Sequence, residues 1–149
     1  PTTVFEIGCH VGTSTAILDK AVRDNGGFCA GVDVSRSIVD RAGALHPTVS
    51  FAVADAWDAA GLQSAWRAAV LQHAVDAHGE GADDAGVPGL VEGPRVLCVD
   101  VGGVSSAQGE LDGLALVQML TSTFGDTVEA VIVKSHCLRS TARASSGEQ

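Results

Sequence analysis

A glycine-containing turn near the start of the chain, together with an acidic residue at the next predicted strand end, could hold a ligand. The segment EIGCHVG (6–12) lies between a short apolar run and a helix-like stretch. Glycines at such a turn let the backbone approach a ligand closely and direct helix N–H groups toward it. Asp33 ends the next apolar run, where a βαβ unit returns the chain to the ligand crevice. Because a carboxylate there can accept hydrogen bonds from both hydroxyls of a ribose, the pattern indicates a nucleotide-type site.

Two kinds of nucleotide site compete for this turn. The NAD fingerprint GxGxxG requires glycine at positions 8, 10 and 13, but His10 and Thr13 occupy two of them, and an acid before the first glycine is not part of that fingerprint. The segment instead resembles motif I of the class I S-adenosylmethionine-dependent methyltransferases, (D/E)xGxGxG. Glu6, Gly8 and Gly12 match this motif, and His10 replaces its middle glycine. A generic strand–turn–helix corner is the remaining alternative.

The resemblance implies a set of cofactor contacts. In this family the motif I acid helps to anchor the methionine portion of the cofactor, often through water. The glycines line its amino-acid and ribose portions. The resemblance therefore implies that S-adenosyl-L-methionine contacts Glu6, Gly8, Cys9, His10 and Gly12.

The end of the second predicted strand resembles methyltransferase motif II. There Asp33 would hold the ribose hydroxyls, and Val34 would offer an apolar face to the adenine ring. Asp33 could instead cap the helix that follows, since aspartate is a good N-cap residue. Ser35 is also available for the cap, which favours the ligand role for Asp33.

The end of the third predicted strand resembles motif III. In that motif Asp55 would take the adenine amino group, and the backbone N–H of Ala56 would reach a ring nitrogen. Trp57 could shelter the ring, although a lone tryptophan at a strand end more often packs at the rim of a core. The alternative for Asp55 is an ordinary solvated turn acid.

Asp100 and Lys134 end the fourth and fifth apolar runs and form the candidate catalytic pair. Asp100 matches the motif IV position, but without the (D/N)PP(Y/F) sequence of the exocyclic-amine methylases, which argues against adenine-N6 and glutamine methylation. The RNA ribose 2′-O-methyltransferases use an Asp and a Lys at these strand ends. At the mouth of a crevice, Lys134 is expected to have a lowered pKa and to steer or deprotonate a hydroxyl. The alternative for Lys134 is a charged strand end that reaches solvent.

Alternating strand and helix patterns must position these residues. The predicted strands are 4–7, 28–32, 49–53, 95–99 and 128–133, and the predicted helices are 13–24, 35–44, 62–78 and 110–124. Nearly uninterrupted apolar strands indicate a parallel sheet covered on both faces. The predicted fold class is therefore α/β: a three-layer αβα, doubly wound, mostly parallel sheet, resembling the Rossmann-like methyltransferase core with five strands visible.

Apolar residues indicate the two later helices. In the third helix an apolar stripe comprises Leu62, Trp66, Ala69, Val70, His73 and Ala74. In the fourth the apolar residues that indicate a helix are Leu111, Leu114, Val117, Leu120 and Phe124.

The predicted organisation is one cofactor-binding domain over residues 1–138. It contains an acidic, glycine-rich loop insertion at 79–94 and is followed by a flexible tail at 139–149. The chain begins at Pro1 without an initiator methionine, so we expect an excised domain or fragment. The last antiparallel hairpin of the methyltransferase family is not present in it.

Composition narrows the class of protein. The net charge of −9 gives no general attraction to phosphate backbones, so an RNA acceptor would need contacts from elsewhere. Four cysteines without a CxxC pair suggest a reduced intracellular protein, and we expect a cytoplasmic one, with organellar targeting left open. No apolar run is long enough for a membrane span. We propose no metal site, because His73 and His78 do not share a helix face.

The predicted function is S-adenosylmethionine-dependent methyl transfer to an unidentified acceptor, either an RNA or a small-molecule hydroxyl. A noncatalytic cofactor-binding module that regulates or scaffolds a partner is the main alternative, motivated by His10 and the missing terminal strands. An NAD(P)-dependent oxidoreductase is the second alternative.

Overall fold

Five strands alternate with four helices along the chain. The computed structural model describes residues 1–78, 93–101 and 107–134. The elements in chain order are β1 (Thr3–Ile7), α1 (Thr13–Arg23), β2 (Phe28–Asp33), α2 (Arg36–Leu45), β3 (Ser50–Val53), α3 (Ala59–His78), β4 (Val96–Val99), α4 (Ala107–Phe124) and β5 (Ala130–Val133). Most of the predicted loop, residues 79–92, and all of the predicted tail lie outside the described residues.

The described strands form one parallel sheet. Their order is β3-β2-β1-β4-β5, and every neighbouring pair is parallel. The carboxyl ends of all five strands therefore meet at one edge, where open α/β sheets bind their ligands. The predicted α/β class is confirmed, and the arrangement is consistent with a Rossmann-like three-layer fold.

The two faces of the sheet carry separate apolar clusters, because successive side chains of a strand point to opposite faces. On one face Phe5, Ile7 and Leu97 pack with residues of α3 and α4. On the other face Val4 and the neighbouring strands pack against α1. This alternation sends Glu6, which lies between Phe5 and Ile7, toward the α1 face.

The predicted stripe of α3 is confirmed. Leu62, Trp66, Ala69, Val70 and Ala74 are all buried. His73 is half-buried and stacks on Phe28, with the two ring centroids 4.6 Å apart. The helix begins at Ala59, earlier than predicted, because the Asp58 carboxylate accepts a hydrogen bond from the Gly61 N–H and caps the first turn.

The predicted fourth helix is confirmed, but only some of the apolar residues that indicated it are buried. Leu111 and Leu114 are 64% and 57% exposed, whereas Leu116, Leu120 and Phe124 are buried. The buried residues follow i, i+4 spacing and face α3 and the sheet. Since apolar residues occur around the whole circumference of this helix, periodicity alone did not select the inner face.

The start of β5 and the end of the predicted surface loop differ from the sequence prediction. Residues Gly125–Thr127 form a short 3₁₀ turn after α4, so β5 starts at Ala130. Gly93 and Pro94, at the end of the predicted surface loop, are buried.

In the described part of the chain, no helix has both the length and the apolar character needed to cross a bilayer.

Candidate functional site

The turn between β1 and α1 takes a left-handed backbone at alternate residues. Gly8, His10 and Gly12 have φ angles of +86°, +49° and +78°. His10 is the one non-glycine residue with positive φ among the residues described. It therefore adopts the conformation that a middle glycine would adopt, which explains how this sequence keeps the turn without that glycine.

Gly8 and Gly12 are required by close packing within the chain. A Cβ atom on Gly8 would lie 2.3 Å from the backbone oxygen of Asp100. A Cβ atom on Gly12 would lie 2.4 Å from Cζ of Phe51. One end of the turn is thus closed by Phe51, whereas Gly8 is half-buried and His10 is exposed. The turn remains open at the end that faces the strand tips.

Glu6 is held by the first turn of α1. Its carboxylate accepts hydrogen bonds from Ser14 Oγ at 2.6 Å and from Thr15 Oγ1. The residue is only 4% exposed, so these two hydroxyls supply the hydrogen bonds that a buried carboxylate needs. The negative charge also lies at the N-terminus of a helix, where it is favourable. In this geometry Glu6 positions α1 and does not reach the cleft described below.

Asp33 joins the glycine turn to the start of α2. Its Oδ2 accepts the N–H of His10 at 3.1 Å, and its Oδ1 accepts the N–H of Ser35 at 3.0 Å. Ser35 is the N-cap residue of α2, so Asp33 is not the cap. A carboxylate can accept about four hydrogen bonds, which leaves Asp33 two positions for a ligand.

A cleft lies beside Asp33 at the carboxyl edge of the sheet. Its volume is about 150 Å³. Among the predicted cofactor residues, those that line it are Gly8, Asp33, Val34, Asp55 and Ala56. Those that do not line it are Glu6, Cys9, His10 and Gly12. The structure therefore brings together the ends of β1, β2 and β3, as expected from the parallel sheet.

Apolar residues complete the cleft. Val34 and Trp57 are 69% and 51% exposed, and both line it. Asp55 Oδ1 accepts the N–H of Trp57 at 2.9 Å, which holds the tryptophan at this turn. Ile7 and Val101 also line the cleft and were not predicted. The available signal for Ile7 was its position next to Gly8, and for Val101 its position next to Asp100.

Cys9 points into the interior. Its side chain packs against Gly31, where an added Cβ would lie 2.7 Å from Cβ of Cys9. Burial raises the pKa of the Cys9 thiol to about 12, and the nearby Asp33 and Glu6 carboxylates add to this effect. The thiol is therefore protonated at neutral pH, and the Cys9 side chain cannot contact a ligand in the cleft.

Asp100 and Lys134 form an ion pair at the ends of β4 and β5. Lys134 Nζ lies 2.6 Å from Asp100 Oδ2. The predicted lowered pKa of Lys134 is wrong: the hydrogen bond and the negative charge of Asp100 raise it. Because the Lys134 side chain is 79% exposed, desolvation contributes little in the opposite direction. Lys134 therefore stays protonated and neutralises Asp100.

The ion pair lies next to the cleft but does not line it. The Asp100 carbonyl contacts Gly8, and Val101 continues the wall of the cleft.

Within residues 1–78, 93–101 and 107–134, no three His, Cys, Asp or Glu side chains are grouped as a metal site would require.

The described geometry defines an α/β domain with a parallel sheet and an acidic cleft at the carboxyl ends of its strands. No family model matches the sequence, and no curated protein sequence matches it either. The ligand of the cleft therefore has to be argued from its side chains.

Proposed function

We propose that this domain binds S-adenosyl-L-methionine in the cleft and transfers its methyl group to an acceptor held beside Asp100. One observation carries the proposal. Gly8, Asp33 with Val34, and Asp55 with Ala56 come from three strand ends and line a single cleft. A glycine turn, two carboxylates and apolar surfaces in one cleft suit a nucleoside, whose ribose and base amino group donate hydrogen bonds.

The residues of the cleft fit the adenosine portion of this cofactor. Asp33 keeps two acceptor positions for the ribose hydroxyls after binding its two backbone N–H groups. Among the described residues, Asp55 bonds through Oδ1 alone, which leaves Oδ2 for the adenine amino group. Val34 and Trp57 supply exposed apolar surface for the ring. The cleft volume of about 150 Å³ is below the range of about 300–1,000 Å³ for pockets that enclose a whole ligand, so the cleft would enclose only part of the cofactor.

The acid at the start of α1 argues against a dinucleotide. The pyrophosphate of NAD(P) lies against the glycine turn and the N-terminus of the helix that follows it. Here the Glu6 carboxylate already accepts hydrogen bonds from Ser14 and Thr15 at that helix start, so a pyrophosphate would bring like charges together. The sulfonium of S-adenosylmethionine is positively charged and meets no such repulsion. The proposal therefore favours a nucleoside without phosphate over the NAD(P) alternative.

When bound, the cofactor would supply a methyl group already activated by its sulfonium sulfur. What remains for the protein is to orient the acceptor and exclude water. Lys134 stays protonated, so its proposed role is to donate a hydrogen bond to the acceptor and to offset the charge of Asp100. We propose a hydroxyl of an RNA or of a small molecule as the acceptor; its oxygen would gain the methyl group as the sulfur–methyl bond breaks, and its proton would pass to solvent water at the exposed end of β5, since Lys134 is already protonated.

A noncatalytic cofactor-binding module is the second candidate. It is favoured by the ion pair itself, because Lys134 and Asp100 neutralise each other and neither is free to act as a base. Such a module would bind the cofactor with the same residues and release it unchanged.

Two measurements made in parallel separate these candidates. Calorimetric titration with S-adenosylmethionine and S-adenosylhomocysteine measures binding, and incubation with methyl-labelled cofactor and fractionated cell extract measures transfer. Binding with label transfer supports the methyltransferase, and transfer should fall in Lys134→Met. Binding without transfer to any fraction supports the module. Displacement by NAD, with no effect of S-adenosylhomocysteine, would reject both.

A further inference from the structure

Strand β3 leaves one edge of the described sheet without a partner. It ends the strand order and pairs only with β2. The Ala54 N–H donates a hydrogen bond to the Asp33 carbonyl of β2. Because the backbone N–H and C=O groups of successive strand residues point to alternate sides, those of Ala52 also point to β2. Those of Phe51 and Val53 point away from the sheet. In the described part of the chain they have no hydrogen-bond partner.

Strand β3 lacks two of the common protections against pairing. Natural edge strands are very short, or carry charged side chains, prolines or bulges that block another strand. The four residues of β3, SFAV, include neither a charge nor a proline. Strand β3 is short, so its pairing edge consists of the outward backbone groups of Phe51 and Val53.

A cavity lies along the same edge, between β3 and α3. Its volume is about 440 Å³, within the range of pockets that hold ligands. Its α3 wall is formed by Ala65, Ala68 and Ala69, whose small side chains leave space beneath the helix. Among the described residues, no charged side chain lines it, and Ser50 and Gln72 are its polar side chains, so it suits an uncharged group.

Negative charge lies just beyond the end of β3. Asp55 and Asp58 are exposed in the turn that leads into α3. Both carboxylates accept backbone N–H groups of their own turn and keep further acceptor positions. A basic side chain would be attracted to this end of the β3 edge.

We propose that an extended segment of a partner protein adds to the sheet as a strand alongside β3. Its backbone pairs with Phe51 and Val53, one of its apolar side chains fills the alanine-lined cavity, and a basic residue lies against Asp58. The added strand runs antiparallel, because antiparallel pairing is the more stable of the two. The basic residue is therefore at the amino end of the segment.

The test uses the whole chain and a short synthetic peptide with blocked ends, in which one arginine precedes alternating valine and threonine. A matched peptide carries glutamate in place of arginine. We expect the arginine peptide to slow hydrogen exchange of the Phe51 and Val53 amides and to bind more tightly than the glutamate peptide. Unchanged exchange at both amides would overturn the proposal. Slowed exchange that depends on protein concentration without peptide would overturn it in favour of a second copy of the chain.

Three variants locate the peptide on this surface. Ala68→Phe fills the cavity and should weaken binding about tenfold, whereas Ala115→Phe, on the exposed face of α4, should not. Asp58→Asn keeps the cap of α3 and removes one of the two charges beside the strand end, so it should reduce the preference for arginine over glutamate. Equal affinity of Ala68→Phe and Ala115→Phe would place the peptide elsewhere and contradict the proposal.

Discussion

Replacing Asp33 by asparagine tests how one carboxylate serves both the fold and the proposed ligand site. Its two oxygens accept N–H groups from His10 and Ser35 at 3.1 and 3.0 Å. Asparagine has one carbonyl oxygen, so it keeps one bond and turns its NH₂ group toward the other donor. A hydrogen bond to a charged group contributes about 1.5–3 kcal/mol, and the partial exposure of Asp33 favours a loss of about 1.5 kcal/mol.

The expected effect is large enough to measure. For a chain of 149 residues, a loss of this size lowers Tm by roughly 3–6 °C. The same substitution removes a charged acceptor from the ribose, so affinity for S-adenosylhomocysteine should fall about tenfold. Differential scanning calorimetry measures the first quantity and titration calorimetry the second.

Asp40→Asn is the matched control, since Asp40 is an exposed acid of α2. It should change neither Tm nor affinity. An unchanged Tm in Asp33→Asn would show that the two backbone hydrogen bonds do not hold the glycine turn. If Asp33→Asn lowers Tm but binds S-adenosylhomocysteine as tightly as Asp40→Asn does, the role of Asp33 in the fold stands and its ribose role is refuted.

Further predictions concern the turn and the ion pair. His10→Gly should change the free energy of unfolding by less than about 1 kcal/mol in urea, because relief of the positive φ offsets the added entropy of the unfolded chain, whereas His10→Val should lose more than about 1 kcal/mol. Gly12→Ala should cost about 1–3 kcal/mol in the same assay, since its Cβ would meet Phe51; an unaltered urea midpoint would contradict that packing. The raised folded pKa of Lys134 means that its pairing with Asp100 stabilises the fold below the ordinary pKa of 10.5, and this contribution is lost as the pH rises through the folded value. Lys134→Met should therefore lower Tm at neutral pH but not in strongly alkaline solution, and an equal Tm difference at both pH values would argue against the ion pair.

The strand ends could be predicted from the sequence because parallel strands share one direction. Apolar runs followed by Asp33 and Asp55 were enough to place both carboxylates at the same edge, and the structure puts both in one cleft. The inward orientation of Glu6 could also have been derived, since it lies between Phe5 and Ile7 and must point to the opposite face.

Other features depend on tertiary contacts that local patterns do not contain. The raised pKa of Lys134 requires knowing that its side chain is exposed and bonded to Asp100. The inner face of α4 depends on where α3 packs, so the exposure of Leu111 could not be deduced from a helix that is apolar on several sides. The left-handed conformation of His10 likewise occurs in a turn held by a distant partner, since the His10 N–H donates to Asp33.

The most direct test of the account follows the backbone amides of the labelled domain by NMR during titration with S-adenosylhomocysteine. The account predicts that the amide signals of Gly8, Val34 and Ala56 move together and saturate, while that of Leu45, at the far end of α2, stays in place. Saturable shifts confined to other parts of the chain, or no shifts at all, would contradict the assignment of an adenosyl site to this cleft.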